Sequence, residues 1–187
     1  FAPLVRGDGL EIAGVTAEIQ WNHETLGMVE RDRFIPVAES CGLIEPLGEF
    51  VLTEACRFGA NNPGLRVCVH AYAAQLRNPL FFDKIFSILD ETGMKPRDLE
   101  MEICEKMMSA KETAAAATLR KLTGIGINIA LGDFGSGFRA LALLQKFEVD
   151  RIKIDRAFFR HLADCPDTDA ITHSVLWQAR ALGAQLS

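Results

Sequence analysis

Residues 99–105 read Leu-Glu-Met-Glu-Ile-Cys-Glu, and their strict alternation predicts a β-strand over Leu99 to Cys104. Successive side chains of a strand point to opposite faces, so Leu99, Met101 and Ile103 share one face while Glu100 and Glu102 share the other. Carboxylates on a buried face are costly unless something binds them. Glu100 is therefore read either as paired with a base, or sitting at a solvated mouth, or as serving a ligand. Glu105 lies past the strand, where the start of a helix favours negative charge. A second stretch, Arg151-Ile-Lys-Ile-Asp155, alternates in the same way and places Arg151, Lys153 and Asp155 on one face. Lys153 is read as an internal ion-pair partner, or as a cation for a phosphate or for activating a bound water.

Working outward from these two strands, the pattern strand then helix recurs. A β-hairpin is predicted at the start, Phe1 to Val5 and Leu10 to Trp21 around Gly7-Asp8-Gly9, because glycine supplies the positive φ of a tight turn. Ile44, Leu47, Val51, Ala55 and Phe58 recur at helical spacing up to Asn61-Asn62-Pro63-Gly64. A strand follows over Leu65 to Val69, then a helix with Asn78 as N-cap, Pro79 at its first position and Gly93 past its end. Beyond Cys104 come a helix over Thr113 to Leu122 closed by Gly124, a strand over Ile127 to Leu131, a short helix after Gly137, the strand Arg151 to Ile154, and a helix from Thr168 to Leu182. Alternating strands and helices imply right-handed crossovers and a mainly parallel sheet. His70, Glu102, Asp133 and Asp155 fall at or just beyond the carboxyl ends of four different strands, with Lys153 within the last. That distribution favours a (β/α) barrel over an open sheet, because a barrel builds its active face from the carboxyl ends of several strands.

The chain has 187 residues and a net charge of −5, with 49% hydrophobic and 24% charged residues, the profile of one globular domain. A barrel needs at least about 200 residues, so the expectation is a single domain over 1–187, short of its last one or two βα units and incomplete at the C-terminus. Its open sheet edges would seek a partner. Phe1 in place of Met reads as a piece of something longer. The negative charge disfavours a nucleic-acid polymer as partner, and no stretch approaches the ~20 apolar residues of a membrane span. Five cysteines, Cys41, Cys56, Cys68, Cys104 and Cys165, lack metal or disulfide spacing and read as buried reduced thiols of a cytoplasmic protein. His23, His70, His161 and His173 form no zinc pattern. The glycine-rich stretch GDFGSGF, residues 132–138, suits close approach to a phosphate, although it is neither a P-loop nor a dinucleotide fingerprint.

These segments together resemble the EAL domain of bacterial cyclic-di-GMP signalling. The matching stretches are FAPLV at the start, AEIQWNHETLG at 17–27, FIPVAESCGLI at 34–44, LGEFVLTEAC at 47–56, AQL at 74–76, LEMEICE at 99–105, DFGSGFRALALL at 133–144 and VDRIKIDRAFF at 149–159. They run in the family's order along nearly the whole chain. The resemblance implies an α/β fold, a modified TIM barrel, and in active members Mg²⁺- or Mn²⁺-dependent hydrolysis of one phosphodiester bond of cyclic-di-GMP.

This sequence departs from that pattern where the metal should sit. Aligned on Trp21, the metal-binding Glu of the Glu-Ala-Leu motif is Thr16. Glu18 lies one pleat further along the expected strand, two rises of ~3.3 Å away. The Asn of the first metal's shell becomes His70, and the first Asp of Asp-Asp-Phe-Gly becomes Gly132. Glu102 remains, with Asp133 as the second metal's carboxylate. Among ligand positions the phosphate-directed Arg is Gln20 and an early Gln is Ala2, while Pro36 in the FIPV loop, Lys153 and Asp155 match. A hard cation needs several oxygen ligands, so no cofactor is expected, Mg²⁺ or Mn²⁺ applying only if the chain is active. The resemblance then implies a non-catalytic member acting by contact with other signalling proteins or with a second copy through Phe138, Leu141 and Leu144. The alternatives are a receptor that binds cyclic-di-GMP without cleaving it and an active phosphodiesterase.

Overall fold

The structure is a computed structural model and describes residues 1–5, 12–104, 113–134, 149–154, 177 and 185–186. Its centre is a seven-stranded sheet. In it β1 (Ala2–Val5) pairs antiparallel with β2 (Ile12–Ala17), and β5 (Arg66–His70), β6 (Leu99–Cys104), β7 (Asn128–Phe134), β8 (Arg151–Ile154) and β9 (Gln185–Leu186) follow in parallel, in the order β1-β2-β5-β6-β7-β8-β9. Between β2 and β5 the chain inserts a two-stranded ribbon, β3 (Trp21–His23) with β4 (Gly27–Val29), and two helices, α1 (Arg31–Ser40) and α2 (Ile44–Ala60). Then α3 (Ala73–Arg77) and α4 (Phe81–Thr92) connect β5 to β6, and α5 (Thr113–Gly124) precedes β7. This is the expected α/β barrel-type architecture, opened by its hairpin. None of the described helices is long and apolar enough to cross a membrane.

The alternation in each strand sorts the molecule into two layers. Val67 and Val69 of β5, Leu99, Met101 and Ile103 of β6, Ile129 and Leu131 of β7 and Ile152 of β8 form one face, packed with Leu52, Ala55 and Cys56 of α2, Ile85 and Leu89 of α4 and Leu119 and Leu122 of α5. The hydrophobic effect therefore fastens the helices to the outer face. The inner face carries the residues in between, and register holds them in line: Thr16 beside Cys68, Cys68 beside Glu100, His70 beside Glu102, Glu102 beside Ala130, and Ala130 beside Arg151.

Several local expectations are corrected. The strand predicted to reach Trp21 stops at Ala17, and Trp21 opens the separate ribbon β3–β4. Glu18 is thus off the strand and exposed rather than one pleat along it. The FIPV segment is no loop but the middle of α1, which buries Phe34 and Ala38 and contains Pro36. A proline there forfeits only a hydrogen bond near the helix start, so its cost is small. The helix placed after Asn78 starts later: Leu80 holds the cap position, while the Asn78 side chain accepts from the Leu80 N–H at 2.9 Å. Gly93, with φ of 74°, ends that helix as expected, in a left-handed conformation that costs glycine little. Helix α5 runs through Gly124, and the left-handed residue is Gly126, φ 92°. Cys41 is exposed, whereas Cys56, Cys68 and Cys104 are buried free thiols. Glu105, Cys165, the short helix after Gly137 and the predicted dimer residues Phe138, Leu141 and Leu144 lie outside the described residues.

Candidate functional site

Two layers of charge line the inner face. In the deeper one Glu100, 0% exposed, lies between two guanidinium groups: Arg66 Nη1 donates to Glu100 Oε2 at 3.3 Å and Arg151 Nε stands 3.2 Å from the same oxygen. Of the readings open from sequence, the pairing with bases is the one observed. Glu100 Oε1 accepts no hydrogen bond from any described residue.

One pleat toward the carboxyl ends, Lys153 Nζ donates to Glu102 Oε2 at 2.5 Å and to Cys68 Sγ at 3.0 Å, and the Cys68 thiol lies 3.4 Å from Glu102 Oε2. Lys153 and Glu102 belong to β8 and β6, with β7 between them. Their contact is possible because the residues of β7 on that face are small. Ala130 carries only a methyl group. A side chain at Gly132 would run into the Glu102 carboxylate, whose Cδ is 3.1 Å from where a Cβ would stand. Glu102 thus fills the space that a residue at 132 would need.

Proton equilibria follow from this packing. Burial disfavours the ionised form of Glu102, but the Lys153 ammonium, His70 and the Cys68 hydrogen bond outweigh it and hold the carboxyl below its ordinary value. For Lys153 burial favours the neutral amine, and the Cys68 sulfur and Glu102 outweigh it in turn, so the amine stays above its usual value. Burial also pushes the Cys68 thiol well up. At neutral pH it is uncharged, and Glu102 balances the ammonium.

Above this layer opens a cleft of about 370 Å³ between α1 and the strand ends, lined by Arg31, Asp32, Ile35, Pro36 and Glu39 on one side and by His70, Tyr72, Glu102 and Cys104 on the other. The His70 and Tyr72 rings meet edge to face at 4.9 Å, and His70 Nε2 is 3.9 Å from Cys104 Sγ. Gln75 locks this wall, its Oε1 accepting the Tyr72 N–H at 3.0 Å. Burial raises the Tyr72 phenol above its ordinary value against the opposing pull of Arg31.

The structure therefore brings together Glu102, Lys153, His70, Pro36 and Gly132 of the expected set, with Thr16 half-buried in register beside Cys68. Gln20 is exposed and is not among the residues lining the cleft. The side chain of Asp133 and all of Asp155 lie outside the described residues. Sequence reasoning missed Arg66 and Cys68, although both alternate onto the face of His70, and it missed Arg31, Glu39 and Tyr72 because α1 was not recognised as a helix. Among the described residues no three His, Cys, Asp or Glu side chains are grouped to hold a metal ion.

With this geometry in hand, likeness to known proteins can be stated. The model of the EAL domain family matches residues 1–187. An uncharacterized signaling protein of Caulobacter vibrioides is 39% identical over 183 residues, covering 97% of this chain and 23% of that protein. The bifunctional diguanylate cyclase/cyclic di-GMP phosphodiesterase MucR of Pseudomonas aeruginosa is 29% identical over 191 residues, covering 100% of this chain and 28% of its own length. The chain thus spans less than a third of these relatives. Among solved structures, the PaMucR phosphodiesterase in complex with c-di-GMP superposes with a TM-score of 0.87 at 29% identity, over 94% of this chain and 73% of that one. The EAL enzyme Bd1971 reaches a TM-score of 0.91 at 21% identity, over 99% and 52% of the two chains, a likeness of fold.

Proposed function

This chain belongs to the EAL domain family, and on that premise we propose that it is a non-catalytic domain of cyclic-di-GMP signalling that acts by contact with other proteins or with a second copy of itself. One observation carries the reading: Glu102, the carboxylate kept from the family's first metal shell, is engaged by Lys153 and Cys68 and fills the space beside Gly132. Mg²⁺ demands near-octahedral oxygen coordination. Thr16 offers a hydroxyl, His70 an imidazole and Gly132 no side chain, so these donors do not fit a hard divalent ion. Without a bound ion there is no metal-activated water to attack phosphorus.

Hydrolysis of cyclic-di-GMP, followed chromatographically with Mg²⁺ and then Mn²⁺, should show no turnover above that of the Glu102→Ala variant; turnover above that control overturns the reading. Restoring the Glu-Ala-Leu carboxylate alone, by Thr16→Glu, should leave activity at the same baseline, since the positions of His70 and Gly132 stay unfilled.

A second reading, a receptor that binds the nucleotide without cleaving it, draws support from the cleft itself, where the Arg31 guanidinium and the Tyr72 and His70 rings face one space. Thermal melts separate the two. A nucleotide present at 100 times its Kd adds ~2.7 kcal/mol to stability, so a metal-independent rise of the midpoint with cyclic-di-GMP favours the receptor and an unchanged midpoint favours protein contact.

A further inference from the structure

We infer that the Lys153 ammonium is the resident cation of this site, tethered to β8 in the position where a divalent ion would sit among oxygen donors, and that Ala130 and Gly132 are the residues that admit it. The inference deepens the non-catalytic reading and can fail separately from it, because a domain that bound a metal ion could still lack turnover.

Three observations support it. The ammonium makes the contacts expected of a bound cation: it reaches one carboxylate at 2.5 Å and one sulfur at 3.0 Å from two other strands, and Lys153 and Glu102 are only 15% and 17% exposed. Its path depends on small residues, since anything larger on β7 at 130 or 132 meets the Lys153–Glu102 contact, and at 132 even a Cβ strikes the Glu102 carboxylate. The charge balance also excludes a second cation. The described inner face already holds Arg66, Arg151 and Lys153 against Glu100 and Glu102. A divalent ion placed there would add two positive charges to a set that is already net positive, in surroundings where charges are poorly screened.

The test uses the 187-residue chain, its melting midpoint in EDTA, Mg²⁺ and Mn²⁺, and Mn²⁺ binding followed by electron paramagnetic resonance. The wild type should melt at one temperature in all three and leave Mn²⁺ free. Lys153→Met, which keeps the length of the side chain and removes its charge, should melt lower in EDTA, bind Mn²⁺ and recover part of the loss when Mn²⁺ is added. Lys153→Met combined with Glu102→Gln should lose the Mn²⁺ response. Mn²⁺ bound by the wild type overturns the inference, and so does a folded Lys153→Met chain that ignores Mn²⁺ or melts with the wild type. Should Lys153→Met fail to fold, the neutral pair Lys153→Gln with Glu102→Gln replaces it: a folded pair that leaves Mn²⁺ free, as the wild type does, supports the inference, and one that binds it overturns the role given to Glu102.

Discussion

Glu100 and Glu102 are the same residue type, two positions apart on one strand and on one face, yet they live in different chemistry. Glu100 is sealed between two guanidinium groups, while Glu102 meets an ammonium and a thiol at the floor of a cleft. The difference is depth. A carboxylate out of reach of water has to be neutralised by fixed partners and becomes part of the scaffold, whereas one at a cleft floor can trade its partners for a ligand. Arginine suits the first role because its planar fork holds a carboxylate from a fixed direction, and lysine suits the second because its charge is compact and its stem is mobile.

The sharpest way to break this comparison is to delete each carboxylate. Glu100→Ala leaves Arg66 and Arg151 facing each other without a counter-charge, and removing one member of a buried ionic group costs ~3–5 kcal/mol. Glu102→Ala leaves Lys153 next to a cleft that water can enter, so the loss should be nearer the ~1.5–3 kcal/mol of a charged hydrogen bond. Urea denaturation of both variants should rank them in that order. Equal losses would mean that depth is not the distinction.

A smaller effect lies in the pH dependence of the shallower pair. The Glu102 carboxyl is held below its ordinary value, so its contribution is fully present above the unfolded carboxyl value of ~4.3 and is lost as pH falls through the lower, folded value. Lys153 is held above its ordinary value, so its contribution is fully present below ~10.4 and fades as pH rises through the folded value. The pair should therefore contribute evenly across neutral pH. Glu102→Gln should flatten the acid limb of a stability profile and leave the slope at neutral pH unchanged. A change confined to neutral pH would contradict the assignment.

The smallest effect concerns Cys68. Its thiol accepts from Lys153 but carries no charge, so Cys68→Ser should cost about 1 kcal/mol, the scale of a neutral hydrogen bond. Its burial should also make it slow to alkylate. Peptide mass spectrometry of the native protein should find Cys41, which is exposed, labelled first. Cys56, pushed up to about 12 by burial, and Cys68 should react only on unfolding.

How much of this was legible in the chain follows from which forces are local. Strand β6 falls on Leu99–Cys104 and β8 on Arg151–Ile154 as the alternation requires, because each strand's two faces meet opposite environments. Helix α2 was read from its repeat of apolar residues. Helix α1 was hidden: Pro36 reads as a breaker, and the two residues it buries, Phe34 and Ala38, are too few to mark a face. In the site, alternation placed Glu102 and Lys153 each on an inward face. That they touch, and that Cys68 joins them, depends on the order of four strands and on the small side chains of β7 between them, information that no single segment carries.

Gly132 also bears on the history of the site. A carboxylate at 132 collides with Glu102 as it now lies, so regaining one there first requires Glu102 to release Lys153 and move aside. The first step back toward the family's pattern lowers stability before any second ligand is in place to compensate. Descent through such a position behaves as a ratchet: once glycine is fixed and the lysine has settled against Glu102, single substitutions lead further from the ancestral arrangement more easily than they lead back.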